Sequence, residues 1–256
     1  MPVATPTLAE LRDVCQPQAK LGLRNGEHWA GRLYMRRLSL RATRYLVRTS
    51  VTPNTLTWAM VVAGVGAGAA LLIPGIAGPL LAALLFQAFL FFDCVDGEVA
   101  RWKRQFSAVG VYVDRLGAYL ADAALLVGAG FRVAENASVA WVSVGLAAAL
   151  GIVLLKASTD LVDVARTRSG LEAVTEEATE VRSARVNSVR RLAAAFKIHR
   201  ITNGIEASLL FLAAAVVELF TGGHTPTEWA VAAVAAVAWL MVPAHLVSIL
   251  SSSRLR

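Results

Sequence analysis

Charge is scarce in this 256-residue chain: Asp, Glu, Lys and Arg make up 17% of it, against 56% hydrophobic residues. Mean hydropathy is +0.57, high for a protein that folds in water. This composition excludes an ordinary array of soluble domains. Cysteine is scarce too. Cys15 and Cys94 are the only two, they lack metal-site spacing, and both fall on a side expected to be cytosolic, where disulfides do not persist. No bilayer-length apolar run precedes Asn54, and a long basic region comes first, which argues against a cleavable signal peptide. No internal repeat is evident.

Long apolar runs are abundant instead. A bilayer crossing takes about 20 mostly apolar residues, and six stretches qualify, at about 54–73, 78–99, 109–133, 139–165, 202–220 and 228–250. The expected fold is an all-α polytopic membrane protein of six transmembrane helices. Residues 1–50 form a cytosolic or interfacial N-terminal segment, and residues 51–256 form the transmembrane domain, with 166–200 as a cytosolic connection. Turn formers, Pro74-Gly75 and Thr221-Gly222-Gly223, mark short outer loops.

The 25 basic residues are unevenly placed. Nine precede Val51, three fall in Arg101–Arg104, eight lie from Arg166 to Arg200 and two end the chain, whereas an outer loop holds only Arg132. By the positive-inside rule both termini face the cytosol. The bilayer-length runs thus account for the net charge of +7 without nucleic acid as a partner. Residues up to about Gly26 show no strong periodicity and read as loose or surface-lying. From about Glu27 to Ser50 a helix is expected, with Tyr34, Leu38, Ala42 and Tyr45 along one stripe and Arg37, Arg41, Arg44 and Arg48 along its flank. Such a helix suits the membrane interface, with anionic lipid as its partner. Thr52-Pro53-Asn54 breaks it. Gly64 and Gly68, four apart, suit close helix packing.

The chemistry concentrates between Phe92 and Asp122. Asp93, Asp96 and Asp114 are carboxylates inside apolar runs, costly enough to read as functional. Asp93 and Asp96 share a helix face, and Asp114 opens the next span at the same cytosolic depth. Three clustered anions call for protonation or for hard divalent cations such as Mg²⁺, Mn²⁺ or Ca²⁺. Paired metals serve phosphoryl transfer. Gly97, Ala100 and Gly110 leave space for a ligand or for tight packing.

The spacing D-x2-D-G-x2-A-R-x8-G-x3-D, formed by Asp93, Asp96, Gly97, Ala100, Arg101, Gly110 and Asp114, resembles the signature of the CDP-alcohol phosphotransferase family. Pro53-Asn54-Thr55-Leu56-Thr57 is similar to the family's P-N-x-L-T opening of the first span. The resemblance implies transfer of a phosphoalcohol group, such as phosphatidyl, from a CDP-alcohol, such as CDP-diacylglycerol, to a small hydroxyl acceptor in phospholipid biosynthesis. CMP is released. It also implies a cytosol-facing site and a homodimer. Asp93, Asp96 and Asp114 would be catalytic and bind Mg²⁺ or Mn²⁺, two ions if the site is complete. Asn54, Thr57, Gly97, Ala100, Arg101 and Gly110 would shape the nucleotide pocket. Arg115, Lys156 and Arg200 are candidates for an acceptor phosphate.

The signature continues to a fourth aspartate at position 118, which in the family is a metal ligand and the favoured base. Here it is Ala118. Asp122 is a poor substitute, since it lies about 12 Å along the helix from Asp114. The alternative is therefore a catalytically impaired relative that binds CDP-alcohol or lipid without turnover. An ion-coupled transporter is disfavoured, because the acids lie at one face rather than along a midplane pathway.

Overall fold

The computed structural model describes residues 6–16, 29–134, 139–171, 198–252 and 254–255. Its elements are helices: α1 (Leu8–Cys15), a π-helical turn (Gly31–Met35) running into α2 (Arg36–Leu46), α3 (Pro53–Ala70), α4 (Ala77–Lys103), α5 (Ala108–Val133), α6 (Val139–Arg168), a 3₁₀ turn (Ile198–Thr202), α7 (Gly204–Thr221) and α8 (Thr225–Ser251). Most of the connection expected at 166–200, residues 172–197, lies outside the described residues.

Five of these helices, α4 to α8, are long and apolar enough to cross a membrane. Six were expected. α3 forms close to the anticipated limits, but it opens with the polar run Pro53-Asn54-Thr55 and carries Gly64, Gly66 and Gly68 in place of large apolar side chains.

The N-terminal segment corrects one expectation. It is not loose throughout: Leu8–Cys15 is a helix closed by a capping box. Thr7 Oγ1 accepts from the Glu10 amide, and the Glu10 carboxylate accepts from the Thr7 amide at 2.7 Å. Two orphan donors of the first turn are thereby satisfied. Leu11 and Cys15 are fully buried and pack with Leu40 of α2.

Contacts divide the chain into two units, residues 1–67 with 84–121, and residues 68–83 with 122–256. In the first unit, Leu56, Val95 and Val99 form a buried cluster joined by Leu46, Val47 and Phe92. Met60, Val61 and Val113 form another. A Cβ added at Gly64 would strike the Ala121 methyl, so that glycine is a close-packing residue, as its spacing suggested. The side of α2 turned to the protein holds Ser39, Leu40 and Thr43, while Leu38 and Tyr45 are exposed.

In the second unit, α8 packs against α6 and α7, and Gly68 meets the backbone at Ala124. Arg132 donates to the Ile73 and Gly75 carbonyls at 3.2 and 3.0 Å and pairs with Glu218 at 3.2 Å. Glu218 also accepts from Thr227. The one basic residue expected in an outer loop is thus a buried tie between loop and helix.

Candidate functional site

Both sequence motifs fall in the first unit, and hydrogen bonds join them. Pro53 starts α3, where its missing N–H costs nothing. One turn later the buried Thr57 hydroxyl donates to Asp96 Oδ2 at 2.7 Å and lies 3.1 Å from the Pro53 carbonyl. At the start of α5, Ser107 Oγ donates to Asn54 Oδ1 at 3.1 Å and accepts from the Gly110 amide at 2.9 Å. A Cβ at Gly110 would stand 2.7 Å from Asn54 Oδ1. Gly110 is therefore small because Asn54 occupies the space beside it. The opening of α3 thus touches the site stretch at both ends, through Asp96 on α4 and Gly110 on α5.

The three aspartates differ in exposure: Asp93 is exposed, Asp96 is buried and Asp114 is half-buried. The charges of Asp93 and Asp114 both act on Asp96, so they share one electrostatic neighbourhood. Among the described residues, however, no three His, Cys, Asp or Glu side chains are grouped to hold a metal ion. The expected triad is brought to one region without forming a preset cage. A physical reason is visible at Asp96, whose carboxylate is turned toward α3 by Thr57. In donor chemistry the residues fit a hard divalent cation, which takes carboxylate oxygens.

Gly97 has a different neighbour from the one a nucleotide pocket suggests. A Cβ there would lie 3.2 Å from an Arg101 guanidinium nitrogen. Arg101, one turn on, lies back over Gly97 and donates from Nε to the Cys15 carbonyl at 2.6 Å. Ala100 is half-buried, and its carbonyl accepts from the Gln105 amide at 3.0 Å, closing the end of α4. Lys103 Nζ reaches the Thr49 and Val51 carbonyls at 2.7 and 2.8 Å. The basic turn after α4 is thus bonded to the break before α3.

Of the cations expected to receive an acceptor phosphate, Arg115 belongs to the first unit and Lys156 and Arg200 to the second. Lys156 already has an acid: its Nζ is 2.7 Å from Asp122 Oδ2, a carboxylate only 5% exposed. Arg200 is half-buried in the 3₁₀ turn. Ala118 is half-buried one turn beyond Asp114 on α5, and Asp122 is one turn further. Asp122 is paired with Lys156.

Sequence reasoning missed Glu98. Its carboxylate is fully buried, and it accepts from Ser39 Oγ, Thr43 Oγ1 and Gln16 Nε2, each at 2.7 Å. The available signal was a third acid at the apolar end of α4, but its partners lie 55 to 82 positions away in the chain.

Comparison with known proteins agrees with this geometry. The sequence profile of the CDP-alcohol phosphatidyltransferase family matches residues 50–242. A bifunctional IPC transferase and DIPP synthase of Thermococcus kodakarensis is 30% identical over 135 residues, 53% of this chain and 30% of that protein. The chain thus spans under a third of that relative's length. Among solved structures, the phosphatidylinositol phosphate synthase of Mycobacterium tuberculosis with CDP-DAG bound superposes with a TM-score of 0.56 at 17% identity. The match covers 84% of this chain and 95% of that one. The same synthase with manganese and citrate gives 0.54 at 16% identity, over 84% and 90%. These structures share the fold. With three quarters of its length matched by the family profile, this chain belongs to the CDP-alcohol phosphatidyltransferase family.

Proposed function

We propose that the protein transfers a phosphoalcohol group, phosphatidyl in the simplest case, from a CDP-alcohol to a small hydroxyl acceptor. The observation that carries this reading is the bonding of the two motifs, Thr57 to Asp96 and Asn54 through Ser107 to Gly110. Elements far apart in sequence are built toward one place, where the charges of Asp93, Asp96 and Asp114 add.

In the reaction the acceptor oxygen attacks the phosphorus of the alcohol-bearing phosphate. A new P–O bond forms, the bond to CMP breaks, and the acceptor proton passes to a base. Asp93, Asp96 and Asp114 would hold a divalent cation, Mg²⁺ or Mn²⁺, or two. When bound, such a cation offsets charge on the attacking and leaving oxygens. Thr57 fixes the orientation of Asp96. Asn54, Gly97, Ala100, Arg101 and Gly110 border the nucleotide, and Arg115, exposed beside Asp114, receives an acceptor phosphate. α3 is the sixth crossing, the site and both termini face the cytosol, and the chain assembles as a homodimer. The outward Leu38 and Tyr45 of α2, with Arg37 and Arg41 also exposed, suit a helix lying in an anionic interface.

A second reading rests on Ala118, which removes a carboxylate the resemblance assigns to metal and base. In that reading the protein binds CDP-alcohol without turnover. CMP release by purified protein decides between them, using CDP-diacylglycerol, Mg²⁺ or Mn²⁺ and a panel of small alcohols and their phosphates. Release that depends on one acceptor and stops with chelator supports the transferase. Metal-dependent CDP binding with no CMP from any acceptor supports the second reading.

A further inference from the structure

Glu98 points away from the motif that contains it. It follows Gly97 directly, two residues after Asp96, yet its carboxylate has no exposure and faces the N-terminal segment. Oε1 accepts from Gln16 Nε2 and Ser39 Oγ at 2.7 Å each, with Arg36 Nη1 at 4.0 Å, and Oε2 accepts from Thr43 Oγ1 at 2.7 Å. Donors from the end of α1 and from α2 thus meet on one side chain of α4. A charge sealed from water is costly unless hydrogen-bonded in this way. The Glu98 main chain takes part too, accepting from Cys15 Sγ at 3.3 Å.

This dock continues to Arg101. The Cys15 carbonyl that ends α1 is the acceptor for Arg101 Nε at 2.6 Å, and it holds the guanidinium back over Gly97. Two contacts from one stretch, Cys15-Gln16, therefore bracket the segment from Glu98 to Arg101. An unpinned arginine has many rotamers, whereas a pinned one meets a ligand with less entropy to lose.

We propose that Glu98 is a positioning residue: it docks α1 and α2 onto α4, and through the Cys15 carbonyl this sets Arg101 beside the nucleotide site. The proposal rests on the transferase reading above. It makes the N-terminal segment part of the donor site rather than only a membrane anchor. It also explains why the inward face of α2 presents Ser39 and Thr43, two hydroxyls, where an amphipathic pattern would place aliphatic residues.

The test compares wild type with Glu98→Leu, Glu98→Gln and the pair Ser39→Ala/Thr43→Val, which keeps Glu98 but removes two donors. Two quantities are read. One is alkylation of Cys15 by a maleimide, located by peptide mass spectrometry, which reports docking of α1 without reference to activity. The other is donor affinity, as KM for CDP-diacylglycerol, or as CDP binding if turnover is absent. Expected are alkylation and donor KM both raised at least about tenfold in the Leu and paired variants, since each removes two or more of the hydrogen bonds that hold Glu98. Acceptor KM should stay within about twofold, and Glu98→Gln should recover most of both, since hydroxyl and amide partners can reorient around an amide. If Glu98→Leu does not fold, the paired variant carries the test. Unchanged Cys15 alkylation, or donor and acceptor KM moving together, overturns the proposal and leaves the transferase reading standing. Wild-type protein that neither turns over nor binds CDP overturns both.

Discussion

Thr57 Oγ1 stands 2.7 Å from Asp96 Oδ2, with both side chains buried, and this bond joins the start of α3 to the site helix. A hydrogen bond to a charged group is worth about 1.5–3 kcal/mol. Thr57→Val keeps the shape and removes the donor, so CMP release should fall by about 10- to 100-fold. Thr57→Ser should retain most of it. Steady-state CMP assays on both variants check this, and equal losses would show that shape, not the hydroxyl, matters.

Ala118 lies one helical turn from Asp114 and is only half-buried, so a carboxylate fits there without displacing a packed core. Ala118→Asp should raise divalent-ion affinity and increase CMP release by about 100-fold or more, the range a positioned base supplies. Metal titration of CMP release measures both. No gain would mean that the three aspartates already suffice, or that the base comes from elsewhere.

The helical architecture was legible because apolar runs end at turn formers: the span expected at 109–133 is observed as Ala108–Val133. The bonds between motifs were not legible. Nothing local says that Thr57 meets Asp96, or that Gly110 is small to admit Asn54. α1 carried its own local signal, Thr7 followed by Glu10, but eight residues give too little periodicity to stand out against a polar segment. Glu98 was invisible for the opposite reason: its meaning lies entirely in partners at the end of α1 and on α2.

Arg104 adopts φ 53°, the left-handed conformation at the end of α4, while Gln105 N closes the turn on the Ala100 carbonyl. That conformation costs an L-residue about 1–2 kcal/mol. Glycine avoids the cost but gains unfolded-state entropy, and Arg104 is exposed, so little packing is lost. Arg104→Gly should raise the unfolding midpoint in detergent by about 2 °C. A lower midpoint would show that the arginine side chain holds the turn.

Lys156 and Asp122 provide the sharpest test of what the second unit does with its intramembrane charges. Asp122 is 5% exposed and Lys156 about a third exposed, with 2.7 Å between Nζ and Oδ2. Removing the cation strands a buried carboxylate, whereas removing both groups strands nothing. Lys156→Met should therefore destabilise the protein by about 2 kcal/mol, below the usual value for fully buried pairs because the lysine keeps some water. Lys156→Met/Asp122→Leu should recover most of that loss. Thermal unfolding of the two single variants and the double variant yields the coupling directly. If the single losses merely add, the pair is incidental to stability, and Lys156 is then available to an acceptor phosphate. If they couple, its charge is already committed to Asp122, and an acceptor has to displace that carboxylate to use it.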